Sequence, residues 1–106
     1  MPVVFWFSQL KTGVTSEDYE RWVREVDYHY AQQIPSLTSY RVHRAEGPCL
    51  GEDNLPYDYI EVAEITSLDD YRRDIAEHPA AAKIIAEIGS YVESVGNVWG
   101  IRIEES

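Results

Sequence analysis

Tyr57-Asp58-Tyr59-Ile60-Glu61-Val62-Ala63-Glu64-Ile65 is the stretch on which the reading of this chain turns. β-Branched and aromatic residues make it a strand, yet carboxylates interrupt it. Successive side chains of a strand point to opposite faces. One face therefore carries Tyr59, Glu61, Ala63 and Ile65, and the other Asp58, Ile60, Val62 and Glu64. In the centre of a sheet both faces are covered and a carboxylate enters partial burial, where a lone charge is costly and pKa shifts arise. At an edge, Glu61 or Glu64 would lie in solvent or in a structural ion pair. The flanking chain bears on that choice.

Upstream, Val3-Val4-Phe5-Trp6-Phe7 is a continuous apolar run bounded by Lys11-Thr12-Gly13, the mark of a strand covered on both faces. Thr15 then stands as a helix N-cap, with acids in the first turn and Asp18 placed as in a capping box. Tyr19, Trp22, Val23, Val26 and Tyr30 form an amphipathic stripe, and Pro35 ends the helix near Gln32 to Ile34. Leu37 to Ala45 reads as a second strand, with Tyr40 and Val42 on one face and Arg41 and His43 on the other. Gly47 to Pro56 is a long connection punctuated by Gly and Pro. The strand quoted above follows it.

Ser67 repeats the N-cap signature and opens a short helix through about Glu77. Pro79 suits the first turn of a new helix. Its stripe is expected to run Ala82, Ile85, Ile88 or Gly89, and Val92, with Ile84, Tyr91 and Val95 beside it, ending at Gly96-Asn97. Val98 to Glu104 alternates as a last strand. The order is β-α-β-β-α-β in a single domain over residues 1–106. This is the split βαβ, or ferredoxin-like, arrangement, an α+β fold with a four-stranded antiparallel sheet. Its first and third strands are central and its helices cover one face. Large apolar residues on the other face predict a second copy of the sheet as cover, hence a homodimer.

The formal net charge is −10, which argues against nucleic acid and against an anionic membrane surface as partners. No run approaches a transmembrane helix. The apolar start lacks the basic flank and length of a signal peptide, and a cytoplasmic location is expected. The single Cys49 excludes an internal disulfide and an all-Cys zinc site. It lies among Glu46, Glu52 and Asp53, which disfavour a reactive thiolate. No glycine-rich phosphate loop and no His-x-x-x-His or His-x-Glu spacing occurs, so neither a cofactor nor a metal is expected. Eight Tyr and three Trp favour a flat apolar ligand or a protein interface.

Ser16-Glu17-Asp18-Tyr19-Glu20-Arg21-Trp22-Val23-Arg24-Glu25-Val26-Asp27-Tyr28 and Tyr57-Asp58-Tyr59-Ile60-Glu61-Val62 resemble the RedY-like (HapK) family. Val4-Phe5-Trp6-Phe7-Ser8 and Pro35-Ser36-Leu37-Thr38-Ser39-Tyr40-Arg41 look like the same family. The resemblance covers most of the chain. It implies a dimeric α+β barrel, with a pocket in each subunit. Related families of that fold include cofactor-free monooxygenases, isomerases and cyclases. The resemblance also implies a ring-closing or condensation step on an aromatic, pyrrole- or indole-derived intermediate of pigment-type secondary metabolism.

Glu61 is the leading catalytic candidate, as a general acid or base whose pKa the apolar strand would raise. His29, near the end of the first helix, could shuttle a proton at neutral pH, or simply complement the helix C-terminus. His78, before Pro79, could face a pocket mouth or cap the next helix. His43 reads as a surface or dimer contact. Trp6, Tyr40, Tyr59 and Trp99 are candidates for holding planar rings, and Asp27 and Tyr28 for contacting substrate from the first helix. A cofactor-free oxygenase using the same pocket is one alternative, and a ligand-carrying or partner-binding dimer without turnover is the competing class. It would need the pocket but not an ionisable Glu61.

Overall fold

In the computed structural model, which describes residues 1–105, the strands are β1 (Pro2–Leu10), β2 (Leu37–Arg44), β3 (Tyr59–Ile65) and β4 (Val92–Ile101). They form one antiparallel sheet in the order β2-β3-β1-β4, so β1 and β3 are central as expected. The helices lie on one face of the sheet, and the molecule is a slab of 39 × 36 × 19 Å. That thickness suits two layers, one of strands and one of helices.

The register sorts the side chains. Val4, Trp6 and Ser8 of β1 lie beside Ala63, Glu61 and Tyr59 of β3 on the helix-covered face. Phe5 and Phe7 pair with Val62 and Ile60 on the other face. Along β3 the buried positions Tyr59, Glu61, Ala63 and Ile65 alternate with half-buried Ile60, Val62 and Glu64. Of the two strand carboxylates, Glu64 points to the uncovered face and pairs with Arg102, while Glu61 faces the helices.

Thr15 caps α1 (Ser16–Trp22) by accepting the Asp18 N–H at 3.1 Å. The helix does not continue regularly. Val23–Asp27 is π-helical, with the Tyr28 N–H reaching back to the Val23 carbonyl, before α2 (Tyr28–Ala31) resumes. A π turn takes up an extra residue. Asp27 and Ala31 are therefore carried to the buried face, where an unbroken α-helix would put Val26 and Tyr30. Asp27 is fully buried, whereas Val26 and Tyr30 are only partly so.

Ser67 caps α3 (Leu68–Glu77), and Pro79 occupies the first turn of α4 (Pro79–Ile88). The helix does not run on to Gly96-Asn97. Gly89 caps it, and β4 already begins at Val92. β1 is long enough to pair with all of β4, and the Lys11 N–H bonds the Tyr91 carbonyl beyond its end. Between Phe7 and Ser8 the register slips, leaving Val95 as the additional residue of a bulge. The bulge breaks the alternation that would have revealed a strand. The inward stripe of α4 is buried Ala81 with half-buried Ile84 and Ile88; Ala82 is exposed and Ile85 is 52% exposed.

Candidate active site

Between sheet and helices lies a cavity of about 280 Å³. Trp6, Ser8 and Glu61 line it from the sheet, Tyr71 and Ile75 from α3, and Ala81 and Ile84 from α4. Asp27 and Tyr40 complete its polar side. Its wall is otherwise almost wholly apolar, and half-exposed Ile85 stands at its rim.

Three oxygens converge there. The Tyr40 hydroxyl lies 2.8 Å from Asp27 Oδ2 and 3.0 Å from Glu61 Oε1. Each reaches this point for a local reason. Glu61 is on the inward parity of β3, Tyr40 on the inward parity of the neighbouring edge strand, and Asp27 is swung inward by the π turn. A phenol has one proton to donate, so both contacts are hydrogen bonds only when one carboxyl is protonated and donates to the phenol oxygen.

The electrostatics favour that state. Burial pushes the Glu61 carboxyl up to about 7; the Asp27 charge adds to the rise and the Tyr40 hydroxyl opposes it. Burial likewise pushes Asp27 up to about 6 against the stabilising Tyr40 bond. Near neutral pH the pair holds about one proton, and its titration belongs to the pair rather than to either residue. Asp27 Oδ1 and Ser8 Oγ are both buried and make no hydrogen bond among the described residues. Orphan polar atoms in an apolar setting are costly.

The other sequence candidates divide. Trp6 lines the cavity and donates its indole N–H to the Tyr71 hydroxyl at 3.0 Å. Tyr28 stands behind Tyr40, ring edge to face at 6.0 Å, and its hydroxyl accepts the Val42 N–H at 2.9 Å. Tyr59 is buried against Tyr19 and donates to Glu20 at 2.6 Å, outside the cavity. Trp99 is 47% exposed and lines a second hollow that shares Trp6 and Tyr71 with the cavity.

Neither histidine meets Glu61. His29 is exposed on α2 with its ring against Tyr30. His78 caps α4, its Nδ1 accepting the Ala80 N–H at 3.1 Å. The partner of Glu61 is a second carboxyl, Asp27, through Tyr40. Tyr71 was not among the sequence candidates. The spacing Leu68, Tyr71, Ile75 is the signal that would have placed it on the inward face of α3. Among the described residues no three of His, Cys, Asp and Glu gather as a metal site.

An antiparallel sheet with helices on one face, enclosing an apolar cavity with a buried carboxyl pair, defines a ferredoxin-like α+β pocket protein. The model of the family described as REDY-like protein HapK matches residues 2–103. The chain belongs to that family. HapK from Hahella chejuensis superposes with a TM-score of 0.83 at 26% identity, covering 100% of this chain and 96% of that one. Hydroxynitrile lyase from Passiflora edulis is similar with a TM-score of 0.76 at 16% identity, covering 99% and 95%. SnoaB, a cofactor-independent oxygenase from Streptomyces nogalater, gives 0.70 at 15% identity, covering 98% and 95%. A comparison with curated proteins finds no match.

Proposed function

We propose that this chain is a cofactor-independent enzyme of secondary metabolism that catalyses cyclisation or condensation of a flat, indole- or pyrrole-derived intermediate. The observation that carries the reading is the Glu61–Tyr40–Asp27 set, with carboxyls of pKa about 7 and about 6 at the wall of an apolar cavity. A general base or acid works best with a pKa near the operating pH. Glu61 is the group that takes the proton. Tyr40 relays and orients it, and Asp27 holds the compensating state. Ring closure and condensation need proton transfer and proximity, both of which such a cavity supplies without a redox partner. Fold alone does not set the reaction: the similar structures include an oxygenase and a lyase by name.

The reading includes a homodimer. Phe5, Phe7, Ile60 and Val62 lie side by side on the sheet face that bears no helix, and Val98 beside them is 52% exposed. A second copy of the same face would bury this patch. Among the described residues no helix is long and apolar enough to cross a membrane.

Turnover of indole- and pyrrole-bearing aldehydes and ketones, followed by mass spectrometry with an oxygen electrode in parallel, tests the reading. Wild type should form product without consuming oxygen, and Glu61→Gln should bind the same compounds but lose turnover by about 10²–10⁴-fold. Oxygen uptake matching product would make it an oxygenase. Equal product from Glu61→Gln would discard the acid/base role.

A further inference from the structure

We propose that Tyr71 is the group that holds a carbonyl oxygen of the substrate, so that the cavity selects flat aromatic compounds carrying a carbonyl. The inference rests on reading the cavity as an active site. It begins from donor counting. An indole N–H can only donate, so in the 3.0 Å contact between Trp6 Nε1 and Tyr71 Oη the phenol oxygen is the acceptor. The phenol's own proton is left over, and among the described residues it donates to no protein group. Tyr71 lines the same cavity as Glu61 and Asp27.

The hydroxyl is therefore aimed by one partner and available to another. Trp6 acts as a positioning residue: it fixes the phenol oxygen, and a donated hydrogen bond strengthens the one that oxygen's proton then makes. Burial first, and the Glu61 and Asp27 carboxyls after it, hold the Tyr71 phenol above its ordinary pKa, with the Trp6 bond opposing. The phenol stays protonated, as a donor must. With a substrate carbonyl on Tyr71, a carbon next to it can lose a proton to the Glu61 carboxylate. The C–H bond breaks, an O–H bond forms on Glu61, and the electron pair moves into an enolate whose oxygen Tyr71 stabilises. That carbon is then the nucleophile for ring closure or condensation.

The test compares two probes of similar shape, indole-3-carbaldehyde and 3-methylindole, by calorimetric titration at pH 7. Wild type should bind the aldehyde about five- to tenfold more tightly, the worth of one good hydrogen bond. Tyr71→Phe should bring the two affinities within about twofold while leaving that for 3-methylindole unchanged. Trp6→Phe keeps the hydroxyl but not its aim, and should lose part of the preference. No binding of either probe, equal binding by wild type, or a full preference in Tyr71→Phe would overturn the proposal. If Tyr71→Phe does not fold, Trp6→Phe decides: a reduced preference supports the contact and an undiminished one rejects it. A preference that depends on Tyr71, found together with Glu61→Gln turnover equal to wild type, would keep the carbonyl contact and remove the acid/base reading.

Discussion

Asp27 and Glu61 share the hydroxyl of Tyr40, at 2.8 and 3.0 Å, and no charged side chain of opposite sign is among the causes that set either pKa. The pair is thus held by burial and one phenol. Its affinity for a proton is the main electrostatic property of the cavity.

The pH dependence of catalysis follows from that sharing. On the proposed reading the working state has one carboxyl protonated and the other free, so kcat/KM should peak between about pH 6 and 7 and fall on both sides. A pH–rate profile measures it directly. A flat profile from acid to alkaline pH would mean that the pair does not titrate in the reaction.

Stability should carry the same signature. The folded-state pKa of Glu61 is raised from 4.5 to about 7, and that of Asp27 from 3.8 to about 6. Between the unfolded and folded values the native state binds more protons than the unfolded chain, so the contribution of these groups to stability falls as pH rises through that window. Below about pH 4 it is fully retained. Each unit is worth about 1.4 kcal/mol, so the charged Glu61 costs on the order of 3 kcal/mol above pH 7. Glu61→Gln should therefore be more stable than wild type at pH 8 and nearly equal to it at pH 4.5, by urea unfolding at each pH. A Gln variant less stable at pH 8 would contradict the assignment.

Tyr40→Phe separates the phenol from the carboxyls it joins. Its hydrogen bonds oppose the rise of both pKa values, so removing them should move the pH optimum upward. With the relay gone, turnover should also fall about tenfold or more. The shift distinguishes loss of the bridge from general damage to the cavity, which would lower the rate without moving the profile.

How much of this was legible in the sequence depends on period. The parity of β3 placed Glu61 with Tyr59, Ala63 and Ile65, and the structure keeps that grouping because a strand has no other way to sort its side chains. Asp27 was legible as a substrate contact from the first helix, but not as the partner of Glu61. The π turn that moves it inward leaves no mark in the hydrophobic spacing, since Val26 and Tyr30 fit a regular helix equally well. The start of β4 was hidden for a similar reason. Val92 and Val95 stand three apart, as on a helix, but here because a bulge interrupts the strand at Val95. His29 near the end of the first helix and His78 before Pro79 were the expected partners of Glu61. Neither position brings the ring to the cavity, and the titrating partner is a carboxyl whose pKa burial makes unusual.

The uncovered sheet face gives the last expected outcome. Ile60 and Val62 lie on the β3 parity opposite Glu61, and Ile60 flanks Phe7 there. A charge at Ile60 faces away from the cavity and should spare its geometry while opposing burial of the patch. By light scattering, wild type should have twice the monomer mass and Ile60→Lys the monomer mass, the apolar interface having been made costly by an unpaired charge. Because Glu61 points to the other side of the same strand, the pH-dependent stability difference of Glu61→Gln should persist in the Ile60→Lys background. A monomeric wild type would mean that the apolar face is not covered by a second copy. A dimeric Ile60→Lys would place the contact elsewhere, and exposed Trp99 and Ile101 on the outer strand β4 would be the residues to substitute next.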